Sequence, residues 1–185
     1  MSMRSVTISL LLAATYLFPQ IAFSQTRGNF KLDDKDLYVV IGTRTPDQLA
    51  AFYTGRGFNR ASIDAITSTC FVFGVIKNKT YDAFWLDLDN WKFTSADGKP
   101  IRRISLDEWK DTWQKTELSK AHQSTFRWTQ LPHSRDLRMH EHVGGNVAVE
   151  WQEKPFSLEA TFRTGDDGSG PPRTIKVEDL SCVPR

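Results

Sequence analysis

A change in hydrophobic periodicity at Cys70 constrains the fold of this chain more than any other feature. After this residue, apolar side chains tend to recur at every second position in short segments divided by polar turns; the segments are 70–76, 84–91, 126–131, 147–151, 156–163 and a last one around 175–177. This alternation is typical of strands that are buried on one face. Short polar connections favour antiparallel pairing. The sequence therefore predicts an antiparallel β-sandwich of about six or seven strands.

Helical signals interrupt this β pattern in two regions. Residues 45–47 have the threonine cap, proline and acidic residue of a helix start, and a second short helix is predicted over 58–68. Further on, Ser105 and Glu108 have the spacing of a capping box and open a helix predicted to run to about residue 123. The predicted fold class is α+β and mainly β: an immunoglobulin-like sandwich with two short N-terminal helices and one inserted helix at 105–123.

The two cysteines lie at opposite ends of the predicted sandwich. Cys70 opens the first strong strand and Cys182 follows the last, 112 residues later. A reactive thiol pair and a metal pair are the alternatives, but neither cysteine has a partner at CxxC spacing. In an oxidising compartment, two such cysteines favour one bridge. We therefore predict a Cys70–Cys182 disulfide that acts as a structural clamp.

The first 24 residues have the features of a secretory signal. Arg4 precedes an apolar run of about 13 residues, and Ala22 and Ser24 supply the small residues in front of a cleavage site. The alternative is a membrane anchor, but a spanning helix needs roughly 20 apolar residues, and no later segment reaches that length. The sequence predicts a signal peptide over 1–24, a flexible segment over 25–36 and one domain over 37–185. We expect export, to a bacterial periplasm or, as the alternative, by secretion.

Charge and motifs narrow the classes of function. The net charge is +2 and the longest basic stretch is Arg102-Arg103, which argues against nucleic acid as a partner. There is no Gly-x-Ser-x-Gly elbow. We therefore expect a non-enzymatic protein that contacts another envelope or secreted protein, as an accessory subunit or an envelope-assembly factor. Asn78 begins a glycosylation sequon, which would matter only in a eukaryotic source.

A polar loop rich in histidine is the first candidate site. It combines imidazoles with a thioether, ligands that suit zinc or copper; the candidate ligands are His133, Met139, His140 and His142. Two arginines in the same loop would repel a cation, and the alternative is a solvated connection between strands. The sequence gives a hypothesis of copper or zinc binding here and no other cofactor.

The outer face of strand 84–91 is the second candidate site. If the strand alternates regularly, two indoles and two carboxylates share this face; they are Trp85, Asp87, Asp89 and Trp91. Neighbouring side chains on one face lie roughly 6.5–7 Å apart, a separation suited to paired carboxylates on a sugar. The alternative is that helices cover the face and both tryptophans belong to the core. Carbohydrate binding is the resulting hypothesis.

Overall fold

The computed structural model describes residues 29–182. The predicted signal peptide at 1–24 lies outside this range, as do residues 25–28 and 183–185. In chain order the elements are β1 (Phe30–Asp33), β2 (Leu37–Arg44), α1 (Pro46–Thr54), α2 (Arg60–Thr67), β3 (Cys70–Asn78), β4 (Phe84–Asp87), a 3-10 turn (Leu88–Asn90), β5 (Trp91–Ser95), β6 (Pro100–Ile101), α3 (Leu106–Lys115), α4 (Lys120–Trp128), β7 (Ser134–Leu137), β8 (His142–Val149), β9 (Phe156–Thr164) and β10 (Gly170–Leu180).

The strands form two antiparallel sheets. The first sheet has the order β1-β2-β3-β8. In the second, β9 pairs on one side with β10 and on the other with β5 and then β4, while β6 and β7 extend the sheet beyond β5 and β4. The α+β, mainly β class is confirmed, with four helices beside the two sheets. The immunoglobulin-like strand arrangement stays a prediction.

One apolar core lies between the two sheets, and the disulfide belongs to it. Alternate residues of both sheets point inward, and Cys70 and Cys182 are both buried among them. The predicted Cys70–Cys182 bridge is present, with the two Cα atoms 5.5 Å apart. It ties β3, in the first sheet, to the residues that follow β10, in the second sheet.

A second core lies on the outer face of the first sheet, under the four helices. Phe71 of β3 and Ala148 of β8 point out of the sandwich and meet a cluster of helix residues; from the helices and their loops come Leu49, Tyr53, Phe58, Ile63, Ile66, Trp109, Trp113, Leu118 and Phe126. The indoles of Trp109 and Trp113 stack with ring centres 4.9 Å apart. The molecule therefore has three layers, and the helices cover the outer face of the first sheet around Phe71 and Ala148.

The inserted helix is two helices, which corrects the prediction of one helix over 105–123. The chain leaves α3 through Glu117, whose φ of 51° lies in the left-handed region. Ser119 then caps α4 by accepting a hydrogen bond from the His122 amide. The strand predicted at 126–131 is wrong, because 126–128 are the last turn of α4 and, of the other three residues, only Gln130 forms an isolated bridge, with Asn146. There, Phe126 packs inward at a helical position.

The segment predicted to be flexible, 25–36, contains a paired strand within its described part. β1 pairs with β2 over 30–33. The turn that follows is held by the guanidinium of Arg173, which forms ion pairs with Asp34 and Asp36. The ordered domain therefore begins before residue 37.

Gly145 allows the segment that follows α4 to pass very close to β8. A Cβ atom at this position would lie 2.5 Å from the Leu131 amide nitrogen and 2.6 Å from the Gln130 carbonyl carbon. Both distances are well inside van der Waals contact. At Gly144 the nearest atom would be Cγ2 of Val75, at an ordinary 3.5 Å. The segment after α4 can therefore lie against β8 only because position 145 has no side chain.

The disulfide gives a first testable prediction. We expect Cys70→Ala/Cys182→Ala to keep its circular dichroism spectrum and to lose about 2–5 kcal/mol of unfolding free energy, because the bridge closes a very long loop. Urea unfolding measures the loss. Parent protein unfolded in reductant is the control and should reach the same stability. A double variant as stable as the oxidised parent would contradict this prediction.

The glycine crossing gives a second prediction. We expect Gly145→Ala to lower the unfolding free energy by about 1–3 kcal/mol, because the added methyl group must push residues 130 and 131 away from β8. Gly144→Ala, one residue away in the same strand, is the matched control and should stay close to the parent protein. Equal stability of the two variants in urea would show that the crossing tolerates a side chain.

Candidate functional site

A groove of about 810 Å³ lies between α3, α4 and the outer edge of β8. This volume is in the range of pockets that bind ligands. Its floor is apolar and is formed by Leu88, Ile104, Trp109, Trp113, Phe126, Leu131, Val147 and Ala148. Its rim is charged and carries Asp89, Arg103, Asp107, Lys110, Lys120, Arg127 and His133. We call this feature the groove.

The floor of the groove exists because two chain segments pair with β8 and then separate. The Ile104 amide donates to the Ala148 carbonyl at 2.9 Å, and the Leu131 amide donates to the Asn146 carbonyl at 2.9 Å. In an antiparallel strand the N–H and C=O of one residue point to the same side. The Ala148 amide therefore also points towards the outer edge of β8, between the two segments.

The wall formed by α3 is fixed at its N-terminus by the capping box that the sequence predicted. The Ser105 hydroxyl accepts from the Glu108 amide at 3.2 Å, and the Glu108 carboxylate accepts from the Ser105 amide at 2.8 Å. The hydrogen bond from the Ser105 amide, and after it the one from the Arg102 guanidinium, hold the pKa of Glu108 below its ordinary value. The Ser105 hydroxyl is thus engaged in the cap, beside the groove that it lines.

The wall formed by α4 presents one polar face. Its polar groove-lining residues follow the helical spacing i, i+3, i+4, i+7; they are Lys120, Gln123, Ser124 and Arg127. Elsewhere on the rim, Arg103 pairs with Asp89 at 2.6 Å and Lys110 pairs with Asp107 at 2.5 Å. Within residues 29–182 no ion pair engages Lys120 or Arg127.

A cluster of metal-ligating side chains lies at one end of the groove. One ligand atom each from Asp87, Asp89 and His133 lies within 4.8 Å of the other two. The 3-10 turn brings them together: the Asp87 carboxylate accepts from the Asp89 amide at 3.0 Å, and the Leu88 amide donates to the His133 carbonyl at 2.8 Å. The Nε2 atom of His133 lies 3.3 Å from Oδ2 of Asp89, while Arg103 binds the other oxygen, Oδ1.

The sugar-binding face predicted on strand 84–91 does not form. The 3-10 turn takes up three residues and shifts the alternation, so Trp91 points into the core and is only 4% exposed. Trp85 is half-buried and donates its indole N–H to the Gly165 carbonyl at 2.8 Å. Of the four predicted residues, only Asp87 and Asp89 meet, and their new neighbour is His133. The predicted carbohydrate surface of Trp85, Asp87, Asp89 and Trp91 is therefore wrong.

The predicted copper or zinc set of His133, Met139, His140 and His142 is not brought together either. β7 occupies residues 134–137 of this loop, with Ser134 paired to Asp87 and Leu137 paired to Phe84. Four strand residues span roughly 13 Å, so His133 and His140 lie beyond opposite ends of β7. His142 pairs across the first sheet with Lys77. Of the predicted ligands, only His133 takes part in the cluster.

Two other features that the sequence suggested have structural roles. Asn78, the first residue of the sequon, is fully buried and donates its amide to the carbonyls of Asp82 and Leu137 at 2.7 and 2.9 Å. A buried amide engaged in this way is not open to a glycan. The cysteines form the bridge and leave no thiol.

Within residues 29–182, every helix is too short or too polar to cross a membrane.

Comparison with known proteins gives only distant structural likenesses. No family model and no curated protein matches the sequence. The YjhA protein of Bacillus subtilis has a TM-score of 0.40 and 9% identity, covering 71% of this chain and 76% of its own. The YcdA protein of Bacillus subtilis subsp. subtilis strain 168 has a TM-score of 0.43 and 12% identity, covering 82% of this chain and 39% of its own. Both scores are below 0.5, so these likenesses imply no shared function.

Proposed function

We propose that this chain is an exported, non-enzymatic binding protein that holds a segment of a partner protein in the groove. The observation that carries the proposal is the groove itself, with an apolar floor and a charged rim. Protein interfaces combine these parts: an apolar, aromatic centre gives most of the affinity, and a polar rim surrounds it. Leu106, on the α3 side, is 40% exposed and adds open apolar surface there.

Two observations favour export. A disulfide is typical of proteins in oxidising compartments, and Cys70 and Cys182 form one. The signal sequence predicted at 1–24 points the same way, and its style favours a bacterial periplasm. A periplasmic accessory subunit or envelope-assembly factor is the role that we infer.

A binding role agrees with the state of the groups in the groove. The Ser105 hydroxyl is engaged in a helix cap, and the carboxylates of Asp89 and Asp107 are paired with cations. These groups hold the shape and the charge pattern of the rim.

Photocrosslinking tests the proposal. A photoreactive amino acid at Lys110, on the groove rim, should form an adduct with one partner protein in cells that export the chain. The same amino acid at Lys176, on the exposed outer side of β10, is the positional control. We expect Ser124→Trp to abolish the adduct because the indole fills the groove.

The matched control for Ser124→Trp is Ala121→Trp, which adds the same indole to an exposed position of α4 outside the groove lining. It should leave the adduct unchanged. Both variants are checked for folding by circular dichroism. An adduct that persists in Ser124→Trp, or that forms equally from position 176, would rule out the groove as the binding site.

Zinc binding at Asp87, Asp89 and His133 is a second candidate function. The observation in its favour is the separation of 3.3 Å between Nε2 of His133 and Oδ2 of Asp89. Two ligand atoms at tetrahedral positions on metal bonds of about 2.0–2.1 Å lie roughly 3.3–3.4 Å apart. Arg103, bound to the other Asp89 oxygen, would orient that ligand from outside the coordination shell. Without the thioether of Met139, the set has no soft ligand that would favour Cu(I), while its imidazole and carboxylates suit zinc.

Calorimetric titration with zinc chloride tests this candidate. We expect one equivalent of zinc to bind, and His133→Ala to weaken binding by about tenfold or more because it removes the only nitrogen ligand. His140→Ala/His142→Ala is the matched control, since it removes two exposed histidines outside the cluster. Absence of saturable binding would exclude the site, and a loss confined to the control variant would place the metal elsewhere.

A further inference from the structure

We infer that the groove selects an acidic, extended segment of its partner, with two carboxylates about three residues apart and an apolar side chain between them. The inference rests on the proposed function and names the chemistry that the groove recognises. Charge, spacing and hydrogen-bonding groups each support it.

The charge argument comes from what is left unpaired on the rim. The groove is lined by four Lys and Arg side chains and by two carboxylates. Both carboxylates are already neutralised, Asp89 by Arg103 and Asp107 by Lys110. The two cations of α4, Lys120 and Arg127, have no acidic partner within residues 29–182. A ligand that supplies two negative charges completes this pattern.

The position of Lys120 supports a role in binding. It is the first residue of α4, and that helix has no acidic residue in its first turn. The helix dipole disfavours a cation at an N-terminus. Lys120 therefore does not serve the stability of α4, whereas a carboxylate bound beside it would be favoured by both the ammonium group and the helix dipole.

The spacing of the two cations sets the spacing of the carboxylates. Lys120 and Arg127 are seven residues apart on one helix face, which corresponds to about 10 Å along the axis. In an extended, polyproline-like segment, residues i and i+3 share one side and lie about 9 Å apart. An apolar residue between them would reach the floor of the groove at Trp109, beside the exposed side chain of Leu106.

The hydrogen-bonding groups favour an extended segment over a helical one. Between the two cations, Gln123 and Ser124 line the groove, and the Ala148 amide points towards its floor. The Gln123 side chain donates its amide nitrogen to the Leu118 carbonyl at 2.8 Å, so its oxygen is the group offered to a ligand. An extended backbone has free N–H and C=O groups for such partners, whereas a helix uses most of its own internally. The groove therefore offers contacts to the main chain as well as to the side chains.

Fluorescence anisotropy with a labelled peptide, Gly-Ser-Glu-Phe-Pro-Glu-Ser-Gly, tests the inference. We expect saturable binding that weakens with added salt, because the carboxylates bind exposed cations. Replacing both glutamates by glutamine should weaken binding about tenfold, the size expected for two partly exposed ion pairs. The protein variant Lys120→Gln/Arg127→Gln should show a loss of the same size and should no longer distinguish the two peptides.

The matched control is Lys92→Gln/Lys154→Gln, which removes the same charge from exposed positions outside the groove. It should bind like the parent protein. Equal affinity for the glutamate and glutamine peptides, or equal loss in both double variants, would overturn the inference. So would glutarate competing as strongly as the peptide, since the site would then be one for small dicarboxylates.

The peptide and photocrosslinking experiments test the acidic chemistry and the proposed function independently. If the adduct at position 110 forms and is lost in Ser124→Trp, but no peptide is distinguished by its charge, the groove binds a protein and only the acidic chemistry is wrong. If the adduct itself is absent, the proposed function fails, whatever the peptides show.

Discussion

The whole structure depends on the burial of β3 from both sides. Inward-facing residues of this strand, such as Val72, pack between the two sheets, while Phe71 packs under the helices. Burying such a side chain contributes roughly 1.5–3 kcal/mol. Because one strand contributes to both cores, the helical layer and the sandwich cannot separate without exposing it, and the disulfide fixes its first residue to the second sheet. The helices that form the groove are therefore positioned by the same strand that holds the sandwich.

Features set by local periodicity could be predicted from the sequence. The nearly continuous apolar run at 70–76 matches a strand covered on both faces, and the capping residues Thr45 and Ser105 mark helix starts that the structure contains. The cysteine pairing followed from position and compartment. What could not be predicted was where the periodic pattern of a strand or helix is interrupted. The turn at Leu88–Asn90 and the left-handed residue Glu117 each break a regular pattern, and neither contains the glycine or proline that marks most breaks.

The sites could not be found in this way because long-range contacts create them. Asp89 and His133 are 44 positions apart and meet only because β7 pairs with β4. Both residues are candidates from the sequence, but in two different predicted sites. The polar face of α4 had a readable signal, since Lys120, Gln123, Ser124 and Arg127 follow a helical spacing. It was missed because apolar residues after Phe126 were interpreted as a strand.

The two proposed ligands of the groove are connected through Asp89. Its Oδ1 atom binds Arg103, and its Oδ2 atom faces His133. A zinc ion bound through Oδ2 would withdraw negative charge from the partner of Arg103, so this guanidinium would attract an acidic ligand more strongly. The carboxylates of that ligand would in turn favour the metal-bound state, because coupling between two sites is reciprocal. Zinc and the acidic segment should therefore bind with positive cooperativity. His133→Ala should then weaken the binding of the acidic segment only when zinc is present.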